Sequence, residues 1–143
     1  MGKFFLGLDP GKSGALASIN SDDGFLVVHP WPGCLQDAWE LLAGFANTSA
    51  VCALEKVHSM PRQGVKSMFT FGQFFGRQEA MLAAAGVAIE YVLPSKWQTA
   101  LGCLSGGDKK VTWERARLLF PQTKITQQVA DAVLLAEYAR RTF

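Results

Sequence analysis

The chain has no apolar run approaching the roughly 18 residues a membrane-crossing helix needs. It has no Cys-x-x-C pair, and its three cysteines, Cys34, Cys52 and Cys103, are odd in number. These absences argue against a spanning helix, a disulfide framework and a structural zinc site, and they fit the reducing cytoplasm. Cys52, inside an apolar strand, reads as core filler. One lysine precedes a short apolar run that leads straight into Asp9, a pattern unlike a signal peptide. Linkers, internal repeats and low-complexity stretches are also missing. What is there is 143 residues with 49% hydrophobic and 18% charged side chains, enough for one globular domain with its own core.

Net charge is only +2, yet its distribution is uneven. Residues 1–55 hold two basic and six acidic side chains, whereas residues 56–124 hold ten basic and four acidic ones. A basic middle beside an acid-bearing segment suits a protein that holds a polyanion next to a metal; the alternative is simple drift of surface charge.

The pattern of elements predicts an α/β fold. Strands are expected at Phe4–Leu8, Gly14–Ile19 and Phe25–His29, joined by turns at Pro10–Gly14 and Asp22–Gly24, with Pro30 and Pro32 stopping the third. Leu35, Ala38, Trp39, Leu42 and Phe45 recur at helical spacing and predict a helix over Leu35–Ala46. A strand over Ser49–Val57, a long helix from about Val65 to Ala85 and a strand over Val87–Leu93 follow. Pro94 opens a short helix to Leu101, Asp108 caps one running to Phe120, and a last helix spans Gln127–Arg141. Three antiparallel strands followed by alternating helices and strands imply a five-stranded mixed sheet, antiparallel then parallel, with helices on both faces.

The long helix has two apolar stripes. Phe71, Phe74, Phe75, Gln78, Met81, Leu82 and Ala85 form one; Val65, Met68, Phe69, Gly72 and Gly76 form the other. A helix apolar on two sides is covered on two sides. One stripe suits the sheet and the other a second copy of the chain, giving a homodimer through residues 65–85. The alternative is that both stripes lie inside one monomer core.

Three acids stand in apolar settings where an ionised carboxylate is expensive without a partner. Asp9 ends the first strand, Glu55 ends the apolar run SAVCALE, and Asp131 lies in VADAVLLAEYA. If the first and fourth strands are neighbours, Asp9 and Glu55 lie side by side and the last helix can bring Asp131 to them. Three hard oxygen donors suit Mg²⁺ or Mn²⁺, and a pair of such ions serves phosphodiester hydrolysis. For any one acid taken alone, a cap or an ion pair is the competing reading.

In this order and spacing, GLDPGKSGALASI, LEKVHSMPRQGVKSMFTFGQFFG, YVLPSKWQTALG and ADAVLLAEYA resemble the RuvC-type Holliday junction resolvases of the RNase H-like superfamily. The likeness runs over nearly the whole chain, and Pro94-Ser95-Lys96-Trp97 looks closer to phage and prophage members than to the chromosomal enzyme. The resemblance implies a homodimeric, metal-dependent endonuclease of four-way or branched DNA, with Asp9, Glu55 and Asp131 as metal ligands. A fourth acidic or histidine ligand usually stands one helical turn before the last aspartate. Here that position is Gln128, which can offer an amide oxygen but no charge, so a second ion is expected to bind less tightly. The resemblance also matches Lys109 to a basic residue that approaches the scissile phosphate, and His58 to the position of an aromatic residue that inserts at the junction.

Lys56, Arg62 and Lys66 cluster in and after the loop following Glu55 and suit phosphate neutralisation; the alternative is a solvated loop. Lys96 opens the Pro94 helix, and Trp97 beside it reads as core. Lys109 and Lys110 sit at a helix start, an unfavourable end for cations unless an anion joins them. Arg115 and Arg117 read as surface positions.

Other readings fit less well. Gly11-Lys12-Ser13 is not a P-loop, because that motif needs glycine where Leu6 stands. Actin-like kinases share an Asp-x-Gly opening but need two lobes and a much longer chain. A YqgF-like RNase H-fold nuclease acting on RNA is a closer rival, disfavoured by the Phe-rich helix and the Pro94–Trp97 segment. Gln128 leaves open a junction-binding protein with weakened cleavage.

Overall fold

In the computed structural model, which describes residues 2–57 and 64–143, the chain order is β1 (Lys3–Asp9), β2 (Ala15–Asn20), β3 (Leu26–Pro30), α1 (Leu35–Ala43), β4 (Ser49–Glu55), α2 (Val65–Ala84), β5 (Ala88–Val92), α3 (Pro94–Ala100), α4 (Lys109–Leu119) and α5 (Gln127–Thr142). The five strands form one sheet in the order β3-β2-β1-β4-β5. β1 pairs antiparallel with β2 and β2 with β3, while β1–β4 and β4–β5 are parallel. The expected mixed sheet, antiparallel then parallel, is therefore the observed one.

Alternation along the strands sorts two cores. Phe5 of β1, Ala15, Ala17 and Ile19 of β2 and Val51 and Ala53 of β4 pack with Trp97 of α3, Ala116 of α4 and most of α5. Leu6, Leu8, Leu16, Cys52 and Leu54 pack on the other face with Ala38 and Leu42 of α1 and Leu82 of α2. Because strand side chains alternate faces, residues 5, 7 and 9 of β1 and 51, 53 and 55 of β4 all look toward α5. Cys52 is buried in the second core, as expected of filler.

Two local signals act where they were read. Asp108 caps α4, its carboxylate accepting from the Lys110 N–H at 3.0 Å. Pro30 is the last residue of β3. Two boundaries fall short of expectation by two residues or more. α1 ends at Ala43 rather than Ala46, because Gly44 follows and Asn47 turns to a positive φ of 65°. β4 ends at Glu55, two residues before Val57, although the Lys56 N–H still donates to the Val92 carbonyl at 2.8 Å.

α5 crosses the sheet directly over β1. A Cβ at residue 7 would lie 2.2 Å from the Ala132 carbonyl oxygen and 2.2 Å from the Ala136 nitrogen, so the two backbones meet only because residue 7 is glycine. Ala132 and Ala136, one turn apart and wholly buried, complete the close approach. Gly7→Ala is therefore expected to lower the unfolding free energy by about 1–3 kcal/mol, read from urea unfolding followed by circular dichroism. Unchanged stability would show that α5 can shift without cost.

Candidate active site

Asp9 and Glu55 end adjacent parallel strands, one step beyond the Leu8–Leu54 pair, and both lie on the α5 side of the sheet. Asp131 enters from the first turns of α5, beside the Ala132 contact with Gly7. Lys109, the first residue of α4, supplies the nearby positive charge that lowers the pKa of all three acids. The four side chains named in the sequence reading as catalytic are thus within electrostatic reach of one another.

Glu55 is buried and the two aspartates are half-buried, and their pKa shifts follow from that burial and from one another's charge. Burial pushes the Asp9 carboxyl well above the usual carboxylate range, and the charges of Glu55 and Asp131 push it further than Lys109 can pull it back. Glu55 rises to about 7, again chiefly by burial and partly by Asp131, against a lowering by its hydrogen bond from Trp97 and by Lys109. Asp131 is raised by burial, offset in part by the Thr112 hydroxyl and Lys109. The cluster sets one cation among the described residues, Lys109, against three acids, too little positive charge to offset them. Among the described residues, no three Asp, Glu, His or Cys side chains are drawn together at ligand distance. The acids are neighbours without forming a closed ligand set, and the donor type and charge deficit are those a divalent cation satisfies.

Two neighbouring groups escaped the sequence reading. Trp97 is fully buried, as expected of core, but its indole N–H also donates to Glu55 Oε2 at 2.8 Å and fixes that carboxylate. A buried indole and a buried acid each need a partner, and the parallel pairing of Glu55 with Val92, two residues before α3, brings them together. Gln78, placed in an apolar stripe of α2, is wholly buried and grips the turn after Asp9. Its Oε1 accepts from the Gly11 N–H at 3.0 Å and its Nε2 donates to the Gly11 carbonyl at 3.1 Å. Gly11 has a φ of 102°, a conformation that favours glycine, so this turn is held in a shape few other residues adopt. A lone amide in an apolar stripe was the available signal.

The remaining predicted residues are more dispersed. Gln128 is exposed in the first turn of α5, three residues before Asp131. Lys56 is exposed directly after Glu55, and Lys110 is exposed beside Lys109. Lys96 is exposed in the first turn of α3, and Lys66 near the start of α2 lines a cleft against the β1–β2 turn. His58 and Arg62 lie outside the described residues. On α2 the stripe of Phe71, Phe74, Phe75 and Gln78 faces inward, whereas Val65 and Phe69 remain 86% and 67% exposed. The second stripe is therefore not part of the chain's own core.

The fold is RNase H-like. Within that class it superposes on Thermus thermophilus RuvC in complex with a Holliday junction substrate with a TM-score of 0.61, at 16% identity over 97% of this chain and 95% of that one. A second Thermus thermophilus RuvC structure gives 0.59 at 13% identity, covering 99% and 96%. No family model and no curated protein sequence matches the chain.

A raised folded-state pKa means that the folded chain binds protons more tightly than the unfolded one. Between the ordinary glutamate value of 4.5 and about 7, Glu55 therefore makes folding less favourable as pH rises. In metal-free buffer the stability is expected to fall from pH 5 to pH 8, with Glu55 contributing on the order of 3 kcal/mol. The fall is expected to shrink in Glu55→Gln. Urea midpoints at both pH values check this, and the same fall in wild type and variant would contradict the burial of an ionisable Glu55.

Proposed function

We propose that the chain is a metal-dependent, structure-selective endonuclease that cleaves Holliday junctions or other branched DNA by phosphodiester hydrolysis. The observation that carries this reading is the convergence of Asp9 and Glu55, at the ends of the paired strands β1 and β4, with Asp131 of α5, where buried Glu55 and two half-buried aspartates repel one another beside Lys109. The fold shared with a RuvC in complex with a Holliday junction supports the choice of substrate.

Asp9, Glu55 and Asp131 would hold Mg²⁺ or Mn²⁺, with the Gln128 amide as a weaker fourth donor to a second ion. Bound there, the ions supply Lewis-acid chemistry and positive charge at a phosphodiester. The protein's own part is to hold and orient the acids. Trp97 holds one oxygen of Glu55, Gln78 fixes the turn that follows Asp9, and Lys109 brings a cation to the phosphate side. Lys56, Lys66, Lys96 and Lys110, with His58 and Arg62, are the remaining DNA contacts in this reading.

The exposed stripe of Val65, Met68, Phe69, Gly72 and Gly76 is the surface through which two copies would pair. A protomer mass at micromolar concentration would remove that part. Among the described residues no helix is long and apolar enough to cross a membrane. The cytoplasm of a bacterial or phage-infected cell is the proposed setting.

Gln128 favours a second reading, a junction-binding protein with weakened cleavage. One experiment separates the two. With Mg²⁺ or Mn²⁺, the wild type is expected to nick a synthetic four-way junction symmetrically and to spare a linear duplex. Asp9→Asn is expected to lose cleavage by at least about a hundredfold while binding the junction as before, since it removes a transition-state charge but no DNA contact. Tight binding without cleavage supports the second reading. Preference for structured RNA points to a YqgF-like nuclease, and full activity of Asp9→Asn overturns the site.

A further inference from the structure

Next to the acidic cluster, the β1–β2 turn and the first turns of α2 border an open cleft of about 660 Å³. Its polar lining is of one kind. Lys12 and Ser13 come from the turn, Lys66, Ser67 and Thr70 come from the helix, and no acidic residue borders it. Among the described residues neither lysine makes an ion pair. Two ammonium groups bordering one space without a counter-ion repel each other, and an anion between them reverses the sign of that interaction. Three hydroxyls on the same walls add donors of the sort that hold phosphate oxygens.

The cleft is also fixed relative to the acids. Its turn wall begins at Pro10, directly after Asp9, and Gln78 clamps that wall through both polar groups of Gly11. An anion seated there is therefore held at a set distance from the carboxylates. A cleft of similar volume under the end of α4 differs in chemistry, because Glu114 lines it along with Arg117 and Lys124. That site sets an acid against its two bases, whereas the first has bases alone, and it serves as a control.

We propose that the Lys12–Lys66 cleft is a phosphate subsite that grips the backbone of the bound strand beside the position addressed by the acidic cluster. This rests on the nuclease reading and adds to it Lys12, Ser13, Ser67 and Thr70, none of which the sequence reading assigned to DNA. The subsite positions the strand and takes no part in bond cleavage.

The test is binding of a fluorescein-labelled four-way junction in metal-free buffer across a salt series. Lys12→Ala/Lys66→Ala is expected to bind about tenfold more weakly, with the slope of log affinity against log salt reduced by about one. Thr70→Val is expected to lose roughly fivefold with an unchanged slope, because it removes a hydroxyl and no charge. Lys124→Ala is expected to match wild type. A double variant with wild-type affinity and slope overturns the subsite while leaving the nuclease reading intact, and so does a loss no larger than that of Lys124→Ala. A wild type that binds neither branched DNA, linear duplex nor RNA overturns both. Calorimetry with inorganic phosphate is the second arm. Heat lost in the double variant while junction affinity stays unchanged would assign the cleft to a free anion and overturn the strand assignment.

Discussion

Helix α5 lies against β1 backbone to backbone, and the position of every acid in the site follows from that contact. With glycine at residue 7, the Ala132 carbonyl and the Ala136 amide nitrogen occupy the volume a side chain would fill. The approach sets the height of α5 above the sheet, and Asp131 precedes Ala132 by one residue. Asp9 follows Gly7 on the same face of β1, and the parallel register of β1 with β4 puts Glu55 alongside. A larger residue at position 7 would lift the helix and draw Asp131 away from its partners.

The same chain shows what a satisfied buried acid looks like. Glu137, 3% exposed, receives Arg140 at 2.7 Å and Arg141 at 2.6 Å. Burial alone would raise its pKa, but the two arginines bring it below the ordinary value. Among the described residues, Asp9, Glu55 and Asp131 have only Lys109 and neutral donors, and all three are shifted the other way. Leaving three carboxylates under-compensated is destabilising, and structures keep such arrangements where a ligand completes them. Trp97 and Gln78 extend the pattern, since both are wholly buried and both spend their polar atoms on holding the site.

Much of this was legible in the residues because it depended on local patterns. Asp9 and Glu55 stand at the ends of apolar runs, Asp108 precedes a helical pattern, and Pro30 follows a strand, so each carried its own signal. The mixed sheet, antiparallel then parallel, also followed, because short hairpins join the first three strands and helices join the rest, whereas the β1–β4 adjacency entered only as a condition. Other features depended on distance in space. The Trp97–Glu55 hydrogen bond joins residues 42 apart, and the Gln78–Gly11 pair joins residues 67 apart. Neither spacing has a periodicity to read. The Gly7 contact is hidden for the same reason, since a glycine in a strand does not announce which helix crosses it. The second stripe of α2 was visible as a pattern, while its exposure depends on which side of the helix meets the sheet, a relation between distant segments.

The central claim is that Asp9, Glu55 and Asp131 form one cation-binding centre. Anomalous diffraction from a crystal soaked in Mn²⁺ tests it most directly. The account predicts at least one Mn²⁺ peak within coordination distance of all three carboxylates, with any second ion weaker and on the Gln128 side. A well-ordered crystal with no peak there, or with Mn²⁺ bound only elsewhere, would contradict it.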